Sequence, residues 1–207
     1  MKTFNQILNF RFIAILFAAL TIVSCSEDDD AAPAEENEVE VITFVQLVFT
    51  NTADPTDVVV STAVDNDGLG INDLTPVDAI RLSPDTEYTL SFVIENRLDP
   101  NDIEDIGEEI EEEDNEHQIF FSFTNDIFAN PAGNGNIDNA ADPVNYNDQD
   151  ENGNPVGLST TWTTTNATST SNSFTVRLQH QPDIKTGTTG ANDGDTDFNL
   201  EFTLNIL

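Results

Sequence analysis

The chain has 207 residues, 39 of them acidic and only six basic, for a formal net charge of −33. A surface this negative repels phosphate backbones and anionic headgroups, which excludes nucleic-acid binding; it favours solubility and gathers cations instead. The chain has one cysteine, so an internal disulfide is excluded as well.

Residues 1–24 have the layout of a secretory leader. Lys2 and Arg11 supply positive charge, and Phe12–Val23 is an unbroken apolar run, shorter than the roughly 20 residues that a spanning helix needs. Ile22-Val23-Ser24-Cys25 resembles the lipobox of bacterial lipoproteins, and by that resemblance Cys25 becomes the first mature residue and carries lipid. Two or more acyl chains would then hold the mature protein to a membrane without any span. Residues 25–38 are the lipidated cysteine followed by an acidic stretch without large apolar residues and with Pro33, which predicts a flexible tether.

Residues 39–207 form one domain's worth of chain, and period-two alternation dominates it. In chain order the expected strands are Val39–Thr50, Val58–Val64, Ala79–Leu82, Tyr88–Glu95, Gln118–Phe123, Leu158–Thr165, Phe174–His180 and the last ten residues. In that last segment Phe198, Leu200, Phe202, Leu204 and Ile206 alternate with polar residues. About eight short strands separated by Gly, Asn, Asp and Pro predict an all-β fold, an antiparallel, Ig-like β-sandwich. One short acidic helix is expected after Asn101, with Ile103, Ile106 and Ile110 on its buried stripe and Asp102, Glu104 and Asp105 at its positive end. The long linkers, above all 125–155, are where binding is most readily placed.

Two histidines are the first candidates for chemistry. If the helix runs as far as His117, Glu113 and Asp114 lie on its side at helical spacing, with Glu116 beside it, and such a set can hold Zn²⁺ through N and O ligands. The plainer reading is a solvated acidic face. His180 falls in register with Phe174, Val176 and Leu178, as a packed strand-end histidine or a further ligand. A second, weaker candidate is calcium. Asp148, Asp150 and Asn152 with Gly153 match the opening of an EF-hand-like loop, but Ser159 stands where a bidentate glutamate belongs, and Asn152-Gly153 is also a hairpin turn signal. No cofactor is certain. No nucleophile elbow or phosphate loop is present, so no enzyme is expected. Trp162 and Tyr146 offer stacking surface for a glycan in an adhesive reading, although a sandwich more commonly buries its tryptophan.

The lipobox with Ser26-Glu27-Asp28-Asp29-Asp30, the segment "EEIEEEDNEHQIFFSF", "VRLQHQPD" and the closing "DGDTDFNLEFTLNIL" together resemble a group of small surface lipoproteins of flavobacteria and other Bacteroidota. Members often carry the label "type 1 periplasmic binding fold". The resemblance implies that Ser26, Glu27, Asp28, Asp29 and Asp30 act as an export signal to the cell surface. It further implies an outer-membrane, lipid-anchored protein, and a TonB-dependent outer-membrane transporter as partner. The alternative is a structural or adhesive sandwich that binds a glycan or a partner protein. Labelled palmitate is expected to enter the protein and to be lost in Cys25→Ser. Replacing residues 26–30 by alanine should keep the label while shielding the protein from protease added outside the cell.

Overall fold

Alternating burial along each long segment decides the architecture. In the computed structural model, which describes residues 40–68 and 73–207, those segments form two sheets. The leader, Cys25, the acidic residues 26–30 and the tether lie outside the described residues.

The first sheet contains β1 (Phe44–Asn51), β2 (Val58–Val64), β3 (Thr75–Pro76), β5 (Glu87–Asn96), β6 (Glu104–Asp105), β8 (Phe128–Asn130) and β9 (Ser159–Thr164). Its order is β3-β2-β1-β5-β9-β8, with β6 added to β5. The second sheet has the order β4-β11-β10-β7, from β4 (Ile80–Leu82), β11 (Asp195–Ile206), β10 (Ser169–His180) and β7 (His117–Phe123). All eight expected strands are present in this all-β sandwich. The extra ones, β3, β6 and β8, are two or three residues long, too short to carry a period. One pairing departs from the antiparallel rule, since β4 runs parallel to β11.

Inward rows from both sheets make one core. Leu47 and Phe49 of β1, Tyr88, Leu90 and Ile94 of β5, Phe121 of β7, Phe174, Val176 and Leu178 of β10 and Phe202 of β11 are fully buried. Trp162 sits at its centre. The Phe174 ring lies 5.1 Å away at 79° and the Phe123 ring 5.4 Å away at 89°. Edge-to-face pairs of this kind add about 0.5–1.5 kcal/mol each beyond area burial.

The helix starts later than its isoleucine spacing predicts. Glu104 and Asp105 pair with Asn96 and Glu95 of β5, which keeps them extended, so α1 spans Ile106–Glu112 with Asp105 as its cap. Asp105 accepts from the Glu108 N–H at 3.2 Å. Ile106 and Ile110 are buried, while Ile103 stays 52 % exposed. The helix ends before Glu113, so His117 stands on a strand.

β7 is the edge of its sheet, and the long loop after β8 caps it. Asn136 N–H donates to the Phe121 carbonyl at 2.7 Å, and Ile119 N–H donates to the Val156 carbonyl at 2.7 Å. The Asn136 side chain accepts from Phe121 N–H at 2.9 Å, and the Tyr146 hydroxyl donates to the Ile119 carbonyl at 2.7 Å. An edge strand covered in this way offers no open ladder to another chain. Gly135 lets the loop come this close: its φ is +87°, and a Cβ there would lie 2.2 Å from the Phe121 carbonyl oxygen. Asn136→Ala leaves the buried Phe121 N–H without a partner and is expected to cost about 1–3 kcal/mol in urea unfolding.

Candidate metal centre

β7 opens on a histidine and β10 closes on one. The antiparallel register puts His180 directly opposite His117, on the face that carries Ile119, Phe121, Phe174 and Leu178. Directly opposed residues share a face, and the two imidazoles stack with centroids 4.4 Å apart and planes 10° from parallel. Gly194 seals this end from β11's side. With φ at +83°, it packs so closely that a Cβ would lie 2.1 Å from the His180 carbonyl oxygen.

The His117 side chain is fully buried. Its Nδ1 lies 3.2 Å from the Glu113 carbonyl oxygen. A carbonyl only accepts, so Nδ1 carries the proton, and in the neutral ring Nε2 is a lone pair. Nε2 stands 2.9 Å from Glu40 Oε1, but off the line that a ring N–H would need for a hydrogen bond. Glu40 Oε2 and Asp197 Oδ2 are also buried and have no hydrogen-bond partner among the described residues. Ligand atoms of Glu40, His117 and Asp197 all lie within 4.8 Å of one another. Small side-chain rotations close such a set on an ion with bonds of about 2.0–2.2 Å.

The electrostatics point the same way. Burial alone would lower the pKa of His117, but Glu40 and Asp197 outweigh it and hold the imidazole above its ordinary value. Burial and the Glu40 carboxylate push Asp197 up to about 7, against a smaller opposing pull from His117. This end of the sandwich has negative charge in excess of its positive partners.

Of the expected ligands, Glu113, His117 and His180 come together, with ligand atoms within 4.8 Å of one another. The helix stops at Glu112 and does not reach His117, contrary to the helical spacing expected of Glu113 and His117; a turn brings Glu113 onto the ring instead. Glu116 reaches the second ring, with Oε2 3.4 Å from His180 Nε2. Asp114 faces elsewhere: its carbonyl accepts from Lys185 Nζ, and it lines a separate cleft of about 250 Å³ with Glu111, Asp148 and Gln149.

Two residues of the buried set, Glu40 and Asp197, escaped sequence reasoning. Glu40 precedes β1 in a stretch whose alternation marks only a strand. Asp197 is the extra residue of a β-bulge, because Leu178 pairs with Phe198 while Gln179 pairs with Thr196. Strict alternation puts Asp197 on the solvent face opposite Phe198; a bulge re-aims one side chain. Asp197 also borders a surface cleft of about 310 Å³ with Asp73, Leu74 and Thr196, which gives this end access to solvent.

The acidic loop expected to bind calcium uses its carboxylates differently. Asp148 accepts from the Gly157 and Ser159 N–H groups, both at 2.9 Å. Asp150 accepts from the Asn152 and Asn154 N–H groups at 2.9 and 2.8 Å, and its Oδ2 lies 3.3 Å from Lys185 Nζ. A lysine thus stands beside the carboxylate where the motif anticipates an ion, and the loop is held as a turn. Trp162 is not a stacking platform, because the core encloses it fully and its Nε1–H donates to Thr160 Oγ1 at 2.7 Å.

Comparisons with protein-family models, with curated proteins and with solved structures found no match.

The Asp150–Lys185 pair is almost wholly buried, and burial acts on its two members with unequal results. On Asp150 burial raises the pKa, but hydrogen bonds from Asn154 and the Lys185 charge outweigh it and hold the carboxyl below its ordinary range. On Lys185 burial wins over Asp150 and Asp114 and lowers the ammonium's pKa. Lys185→Met strands a buried carboxylate and is expected to cost about 3–5 kcal/mol at pH 7. Because the folded pKa of Asp150 is depressed, its stabilisation is present above about pH 4 and is lost as pH falls through the folded value. Asp150→Asn should therefore flatten the acid limb of a stability profile measured by urea titration.

Proposed function

We propose that the protein is a lipid-anchored, surface-facing protein of the outer membrane that captures a divalent cation, zinc foremost, as an accessory to a TonB-dependent transporter. The cation reading rests on one observation: a fully buried imidazole, stacked on a second, stands beside Glu40 and Asp197, each with a buried oxygen that has no donor among the described residues. Imidazole and carboxylate donors suit zinc and its first-row neighbours, whereas calcium takes oxygen alone. The strongly acidic surface adds a second support, since it raises the local concentration of cations and speeds their encounter. The anchoring and transporter parts rest on the lipobox, the acidic residues after it and the family resemblance.

Titration calorimetry of the detergent-purified full chain is expected to give a zinc Kd tighter than about 100 µM, or roughly −5.5 kcal/mol. His117→Ala should weaken it at least about tenfold. Equal affinity in that variant, or heat no greater than dilution, sinks the cation reading.

A further inference from the structure

The two groups of side chains around His117 do not offer an ion equal terms. One group is Glu113 with His117 and His180, and there His117 Nδ1 is already engaged, 3.2 Å from the Glu113 carbonyl oxygen. The other is Glu40 and Asp197 with His117: His117 Nε2 lies 2.9 Å from Glu40 Oε1 without hydrogen-bond alignment, and Glu40 Oε2 and Asp197 Oδ2 are buried with no hydrogen-bond partner among the described residues. Glu40 is 92 % buried at its side chain by virtue of an 8 % exposure, and His117 is completely so. An unpartnered buried acceptor costs about 1–3 kcal/mol, more when it is charged, and here three converge. A shared cation satisfies all three at once.

We infer that the ion binds on the Nε2 side, held by Glu40, His117 Nε2 and Asp197, and that Glu113 and His180 position the His117 ring without touching the ion. This rests on the cation reading above and assigns its ligands. The Glu113 carbonyl fixes the tautomer by accepting the Nδ1 proton, the usual arrangement behind a metal-bound imidazole. His180 stacks on the ring and holds its plane. Two carboxylates and one neutral imidazole carry a charge of two negatives, so a divalent ion leaves the buried site neutral, whereas a monovalent ion leaves it charged. One nitrogen and several oxygens, with no sulfur, point to zinc, manganese, iron(II) or nickel over copper(I). The three ligands come from the segment before β1, the first residue of β7 and the bulge of β11, so the ion ties residue 40 to the second sheet.

Zinc titration of the full chain, paired with X-ray absorption at the zinc edge, separates the outcomes. Glu40→Gln and Asp197→Asn are each expected to weaken binding at least about tenfold, while Glu113→Gln and His180→Asn stay within about threefold. The absorption spectrum of the native protein, which needs no variant to fold, is expected to fit one imidazole per zinc. Two imidazoles per zinc, or loss of binding in His180→Asn with retention in Glu40→Gln, overturns this assignment and leaves cation capture standing. No zinc binding by the native chain removes both.

Discussion

β10 lies between β7 and β11, and its register is the constraint on which the rest depends. A slip of one residue would turn Phe174, Val176, Leu178 and His180 from the core face to the solvent face together. The Phe174↔Phe123 and Val176↔Phe121 pairs hold it in place by filling the core beside Trp162. The His117↔His180 stack at the end of the same row is thus a by-product of aromatic packing four to six residue pairs away. The stack and the Glu113 carbonyl together hold the His117 ring with Nδ1 directed at that carbonyl.

Among the described residues, the charge at that end has no ion pair with a lysine or arginine. Arg97 pairs with Glu95 and stacks over Phe44; Arg177 binds Asn199 and the Ala191 carbonyl; Lys185, from the connection after β10, pairs with Asp150; Arg81 reaches the Ala79 carbonyl. Among the described residues, none of these cations forms an ion pair with Glu40 or Asp197. The contrast between the two acidic regions is instructive. At Asp150 a buried lysine and three N–H donors stabilise the carboxylate and hold its pKa down; at Asp197, burial and the Glu40 carboxylate raise the pKa instead.

Much of the fold was legible because period two survives wherever one face of a strand is buried. Phe198 to Ile206 and Tyr88 to Ile94 needed no partner to be recognised. The start of α1 was not legible, since Ile103, Ile106 and Ile110 carry helical spacing whether or not β6 claims Glu104 and Asp105. His117 and Glu113 were anticipated as neighbours through a helix that stops short of them. A turn and a strand edge bring them together in its place.

Composition and local alternation suffice for the acidic surface, the eight principal strands, the buried tryptophan's sandwich setting and the two histidines as residues of interest. The tertiary structure alone decided that His117 faces Glu40 and Asp197. Residues 40, 117 and 197 meet through strand register and one bulge. A bulge inverts the face that alternation predicts, and register is set by the packing of distant side chains, so neither leaves a mark in the local sequence.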